Sequence, residues 1–483
     1  MRIQALAGAL ILWSTVAHAE EPQPTDLGKT PIEEPKAEAP KAPPPAFVFA
    51  LHGFVSSSLY FQDANLGPSE GQSALYVNAQ SATLKQPNKD RLVFGGDVRQ
   101  SRFNFSVTGP KESVLGATPK AVLEIDFFGN FGSGNYGDVS LTPRMRWAYA
   151  ELDWGGGNRF VAGQNNDLIF TIAPASLAHI AFPYSYGAGN VGWRRPGIFG
   201  FHTIGDKKAT NFEFAWEVGR SQWADQGAQT QAQNATGTCT TGATPAPGCP
   251  NPNIPGNGIG QGTVGLGGDP YGFSLGEASG LPAVEARIML ASGSAWNLFT
   301  TGHWQRIDRS GVGNVAAIPG IFTPGKDIDT IAMNVGGKAT VGPLQLAAIG
   351  FTGKNLAPLV GNFLQFQANT IGDVHGMGGW VQAGFNFTKQ LSLWGFIGTE
   401  KPNEAEAIAA RFVRLSNVTS VGMLQYRDST KVGGVNSDYA VAFEWVHMRT
   451  RTRVFASAAS TAPGPNSGDL DGNQYIVSAN YFF

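Results

Sequence analysis

Between residues 210 and 220 the chain reads TNFEFAWEVGR. On an extended backbone Phe212, Phe214, Trp216 and Val218 fall on one side, and Asn211, Glu213, Ala215, Glu217 and Gly219 on the other. A period of two, with one greasy and one polar face, marks a strand that separates two unlike surroundings. The pattern recurs along the chain. Ala121, Leu123, Ile125 and Phe127 oppose Val122, Glu124 and Asp126, while Val284, Ala286, Ile288 and Leu290 oppose Glu285 and Arg287. Ile331, Met333, Val335, Ala339 and Val341 oppose Thr330, Asn334 and Lys338, and Tyr439, Val441, Phe443 and Trp445 oppose Ala440, Ala442 and Glu444. The last ten residues, QYIVSANYFF, continue it, with Tyr475, Val477, Ala479, Tyr481 and Phe483 opposite Ser478 and Asn480. About sixteen such segments can be counted, each near the length that crosses a bilayer as a tilted strand; the phase of 159–166 is ambiguous.

The connections alternate in length. Short ones are GGGN from Gly155, GDKKA from Gly205, SGSA from Ser292, GP from Gly342 and TKQ from Thr388. Long ones include 62–91, 167–190, 221–280 and 449–473. Short at one end and long at the other is the wiring of a membrane barrel. Charged side chains on the polar face are too costly for a dry core, so a wet interior and a lipid-facing exterior are expected. A soluble sandwich would bury its apolar faces together, and its turns would not sort by length. Trp296, Phe387, Tyr426, Tyr439 and Phe483 fall beside the short turns, and Trp304 and Tyr475 toward the long loops. Two such girdles mark the two interfaces of a bilayer. The expected fold class is all-β, a transmembrane antiparallel β-barrel of about sixteen strands over 47–483.

Composition agrees with export and insertion rather than solubility. Charged residues make up 14% of the chain, against roughly a quarter in ordinary soluble proteins. The formal charge of -2 speaks against a nucleic-acid partner. Residues 1–19 carry a basic start at Arg2, an apolar stretch and Ala17-His18-Ala19, the pattern of a secretory signal peptide. Residues 20–46 hold eight prolines among charges and alanines, and read as a polyproline-like periplasmic linker. Fully extended it reaches about 80 Å, enough to touch the cell wall; a disordered tail is the alternative. The two cysteines, Cys239 and Cys249, lie within the 221–280 loop, expected to be extracellular. A disulfide there would stabilise the loop by roughly 3 kcal/mol, with two free thiols as the other reading.

The stretches GGDVRQSRFNFSV (95–107), PKAVLEIDFFGNFG (119–132), RMRWAYAELDW (144–154) and FVAGQ (160–164) resemble those of DcaP-like porins. FEWVHMRTRT (443–452) and the terminal strand fit the same family, which is distantly similar to the phosphate-selective porins. The resemblance implies a sixteen-stranded, homotrimeric outer-membrane channel of a Gram-negative bacterium, for small anionic solutes, dicarboxylates among them. Members carry an N-terminal coiled coil that bundles the trimer, and the proline-rich segment here cannot form one. The 221–280 loop is also unusually long. The ending at Phe483 resembles the signal that the barrel-assembly machinery recognises.

Candidate pore-lining residues follow from the polar faces and the third long loop. Arg102, Arg144 and Arg146 make an anion-favouring wall, because rings of charge select ions. Glu124 and Asp126 lie between them, so a neutral cross-strand ladder is the competing reading. In porins of this type the third long loop folds inward, and the apolar 167–190 segment suits that role. It supplies His179 and Tyr184, with Tyr186 beside them, and Arg194 and Arg195 follow at its exit. GFSLG (272–276), GSGNYG (132–137) and GQGTVG (260–265) match nucleophile-elbow and dinucleotide patterns but lack the strand–turn–helix context that these need. The histidines show no metal spacing, and neither cofactor nor catalysis is expected. The function expected is passive diffusion of small hydrophilic solutes through a lipid-embedded channel. The alternatives are an adhesin or cell-wall tether using loop and linker, or a barrel-embedded hydrolase.

Overall fold

A computed structural model describes residues 47–68, 71–78, 92–129, 142–221, 275–307, 327–365, 372–410, 412–432, 435–454, 463–464 and 467–483. The expected signal peptide, the linker and Cys239 and Cys249 lie outside these residues. The first strands are β1 (Val48–Gln62), β2 (Leu66–Pro68), β3 (Ala74–Val77), β4 (Val93–Asp97), β5 (Arg102–Thr108) and β6 (Thr118–Asp126). There follow β7 (Arg144–Gly155), β8 (Asn158–Asn166), β9 (Arg194–Gly205), β10 (Thr210–Gly219), β11 (Ala283–Ser292) and β12 (Trp296–Ile307). The chain closes with β13 (Ile328–Val341), β14 (Leu344–Lys354), β15 (His375–Asn386), β16 (Leu391–Pro402), β17 (Arg414–Val432), β18 (Val435–Thr452) and β19 (Gly468–Phe482).

All of these except β2 and β3 form one 17-stranded antiparallel sheet. β4 and β5 both pair with β1, end to end, so the wall has sixteen staves. A break at 98–101 separates the two, and side chains satisfy its backbone: Arg99 N donates to Asp97 Oδ1 at 2.9 Å, Gln100 N to Gln72 Oε1 at 3.2 Å, and Ser101 Oγ donates to Val98 O at 2.7 Å. The sheet closes where β1 pairs with β19, Phe54 opposite Phe482. The terminal residue extends the seam, since Phe483 N and O exchange hydrogen bonds with Gly53 at 3.1 and 3.0 Å. Closure removes every sheet edge, which a bilayer requires because lipid cannot hydrogen-bond an unpaired strand.

Alternation along each stave sets the two faces. Outward side chains such as Phe49 (79% exposed), Met333, Val335, Met377 and Tyr481 are bare apolar surface. At about 25 cal/mol per Å² such a belt is untenable in water and at home in lipid, so the barrel spans a membrane. Trp296, Phe387 and Tyr439 are exposed on this face near the short-turn ends of their staves, at one interface, whereas Tyr475 lies midway along β19.

The interior is not the evenly polar lining that the sequence suggests. Phe299, Ile349, Trp380, Phe396, Val421, Val446 and Ile476 face inward from β12 to β19 and form one apolar cluster with Ala178 and Tyr184. The β2–β3 hairpin adds Leu66, Ala74 and Val77 to it. Most of the buried charged groups gather instead on β5 to β11, with Glu400, Arg414 and Glu444 on β16 to β18.

Gly53 sits where β1, β5 and the chain end meet, and the carbonyl of Arg102 occupies the place of a Cβ there. Gly53→Val is expected to destabilise the barrel by ~1–3 kcal/mol, as overpacking does. Gly302→Ala, which meets nothing within 4 Å, should be silent. Heat-modifiable electrophoretic mobility of the two variants checks this.

Candidate functional site

β5, β6 and β7 carry a patch of charge on the inner wall. Arg144 donates from Nε and Nη2 to the two oxygens of Asp126, at 2.9 and 2.6 Å. Arg146 bridges both acids, with Nε to Glu124 at 2.7 Å and Nη1 to Asp126 at 3.0 Å. A bulge in the β6–β7 ladder at Glu124/Ile125 shifts the register there, and bulges re-aim side chains in this way. Arg102 approaches Glu124 at 3.6 Å, while its Nε and Nη2 make no hydrogen bond. Arg194, at the start of β9, lies over the Trp193 ring at 4.1 Å, and no hydrogen bond or ion pair holds it among the described residues. Four guanidiniums face two carboxylates, so the six groups sum to +2. Aromatic faces back them: Arg144 lies within 4.8 to 5.5 Å of Phe128, Phe182 and Trp193, contacts worth about 0.5–2 kcal/mol each.

The segment from Asp167 to Trp193 runs through the interior and is held by side chains from opposite walls. Leu168 N donates to Glu217 at 3.1 Å and Ile169 N to Glu285 at 2.7 Å. Across the lumen, Leu177 N and Ala178 N both donate to Glu444 Oε1 at 2.7 Å, and Ser176 Oγ to its other oxygen at 2.8 Å. Gln382 accepts from Ala175 N at 2.7 Å and donates to Ala175 O at 2.9 Å. Asn417 donates to Gly187 O at 2.9 Å, and the wall has a glycine, Gly398, where the Ala188 carbonyl presses against it.

Of the residues singled out in the sequence, Arg102, Glu124, Asp126, Arg144, Arg146 and Arg194 come together. Arg195 does not. It turns into a separate buried network, with Nε and Nη2 on Asp167 at 2.9 Å each and Nε 3.5 Å from Glu217. Burial pushes the Asp167 carboxyl up, but the Arg195 pair and the Trp193 amide outweigh it and hold the group below its ordinary value. His179 and Tyr184 are fully buried. His179 Nδ1 meets Phe182 O at 3.3 Å and Nε2 meets Gln474 at 3.4 Å; Tyr184 donates to Ala175 O at 2.6 Å and packs its ring on Phe396, 4.5 Å between centroids. Burial pushes the His179 imidazole down to about 4 and the Tyr184 phenol up, so both are neutral at pH 7. Sequence reading missed Glu444 as an anchor, although a lone carboxylate among Ala440, Ala442 and Val446 is a visible signal. It also missed the aromatic backing from Phe128 and Trp193, which no spacing announces.

No protein-family model matches the chain, and no curated protein matches it in sequence. Among solved structures, the outer membrane channel DcaP of Acinetobacter baumannii is similar in fold, with a TM-score of 0.58 and 14% identity over 91% of this chain and 98% of that one. An anion-selective porin from Comamonas acidovorans aligns with a TM-score of 0.47 and 11% identity, over 90% of this chain and 100% of that one.

A neutral, buried His179 favours the folded loop most above its ordinary value of 6.5, and that contribution is lost as the pH falls toward about 4. The loss amounts to about 3 kcal/mol. Hydrogen exchange of the 177–186 amides, corrected for intrinsic rates, should therefore quicken from pH 7 to pH 4 more in the wild type than in His179→Gln. Equal pH dependence would assign the effect to the carboxylates around the loop.

Proposed function

We propose that this protein is a passive channel in the outer membrane of a Gram-negative bacterium, working as a homotrimer and favouring small anions, dicarboxylates among them. The fold shared with the DcaP outer membrane channel supports the general reading. The observation that carries the anion preference is the +2 balance of Arg102, Arg144, Arg146 and Arg194 over Glu124 and Asp126. Guanidiniums bind carboxylates through paired, planar hydrogen bonds. Here two of the four are hydrogen-bonded to carboxylates of the wall and Arg102 lies 3.6 Å from one, which keeps solute binding weak enough for release, as conduction requires. The 167–190 loop is the constriction. It fills the apolar side of the lumen and leaves passage along the charged side, where a hydrated anion exchanges water for Arg194 and Arg102 in turn. Transport needs no bond made or broken, only a gradient.

In planar bilayers with a salt gradient, the wild type should give a reversal potential on the anion side. Arg194→Glu removes one positive charge and adds one negative, taking the six-group sum from +2 to 0 without breaking an ion pair. The anion-to-cation permeability ratio should fall severalfold, while conductance stays within a factor of about two. A cation-selective wild type would contradict the reading. Deleting 175–184 should raise single-channel conductance, and an unchanged value would remove the loop from the constriction.

A further inference from the structure

The outward face of the wall bears a groove of about 580 Å³, lined among others by Met333, Val335, Gly350, Met377, Thr399 and Lys401. Strand register explains its shape. Met333, Thr352, Met377 and Lys401 are direct cross-strand neighbours from β13 to β16. In the adjacent row, closer to the short turns, Val335, Gly350, Gly379 and Thr399 are likewise in register. The two glycines leave that row without side chains at its centre. Two flexible methionines, 55% and 63% exposed, therefore stand over a bare floor, and methionine adapts to irregular apolar ligands.

Lys401 closes the groove at the end nearest the long connections, one residue before the end of β16. It is exposed and makes no ion pair among the described residues. The acids nearby outside the wall are engaged, Glu404 with Arg451 at 2.9 Å, Glu406 with His375 at 3.1 Å, and Asp373 with Lys354 at 2.7 Å, and Glu400, its chain neighbour, is buried on the opposite face. A lysine at this depth lays its stem along apolar surface and lifts its ammonium to the headgroup level. An apolar floor and a cation free of ion pairs among the described residues together match one kind of molecule, an acyl chain joined to an anionic head.

We propose that the groove holds an acyl chain of a phosphate-bearing lipid from the leaflet on the long-loop side, with Lys401 on its phosphate. This rests on the reading as an outer-membrane barrel, and the two fail separately, since conductance reports the channel and retained lipid reports the groove. A Cβ at Gly350 meets only the Gly378 carbonyl oxygen, at 3.9 Å, so Gly350→Phe fills the groove without disturbing the wall. Full-length protein in detergent would be exchanged with a bis-phosphorylated, multiply acylated glucosamine lipid, with its dephosphorylated form, or with inorganic phosphate alone. Native mass spectrometry then counts what each chain retains.

The wild type should keep the phosphorylated lipid, and Lys401→Glu and Gly350→Phe should each lower retention about tenfold with conductance unchanged. Inorganic phosphate alone should not be retained. Equal retention of phosphorylated and dephosphorylated lipid by the wild type would overturn the proposal, as would equal retention by the wild type and Gly350→Phe. If Gly350→Phe instead splits the oligomer and leaves lipid content as it was, the face belongs to a second copy of the chain. Should a variant fail to assemble, the comparison of the two lipids on the wild type decides alone.

Discussion

A backbone threaded through the inside of a barrel must find partners for its own N–H and C=O groups, and this requirement organises the lumen. Each buried donor left unmet costs about 1–3 kcal/mol. The wall meets the demand with side chains: Glu217 and Glu285 on one side, Gln382, Asn417 and Glu444 on the other. Glu444 is the centre of this arrangement, taking two amides and a hydroxyl on one carboxylate. Carboxylate acceptors make the stronger kind of hydrogen bond, and the loop is pinned from β10 and β11 on one side and from β15, β17 and β18 on the other.

That pinning divides the interior. Tyr184 and Ala178 lie against Phe396, Ile349 and Ile476, where burial of each large side chain is worth roughly 1.5–3 kcal/mol. This side is packed like a protein core. The other side keeps the arginines and their acids, with Phe182 and Trp193 of the loop segment stacked on Arg144. The same segment therefore packs on the apolar wall and also borders the charged patch. Arg194 lies over the Trp193 ring with no hydrogen bond or ion pair among the described residues, and the proposed anion preference rests on it most.

The staves are legible in the sequence because their outer faces meet a uniform apolar solvent, so Phe212, Phe214 and Val218 or Met333 and Val335 keep a strict period of two. Their inner faces are harder to read. Phe299, Trp380 and Ile476 occupy positions where a wet lumen predicts polar groups, and they are apolar because the loop covers them. Val161 in β8 packs inward with Leu168 and Phe199, which blurs the alternation of that stave. The arginines of β5 and β7 are visible as a wall, but their grouping with Arg194 depends on a bulge and on the loop exit. The role of Glu444 is hidden for a topological reason, since its amide partner Leu177 is 267 residues away.

The division of the lumen is open to direct measurement by cysteine accessibility in a chain whose Cys239 and Cys249 are replaced by serine. Asn104→Cys on the charged wall and Ile476→Cys on the apolar wall would be exposed to a small anionic thiol reagent while current is recorded. The account predicts rapid modification and a drop in conductance for Asn104→Cys, and no reaction for Ile476→Cys until the protein is unfolded. Equal reactivity at the two positions would contradict it.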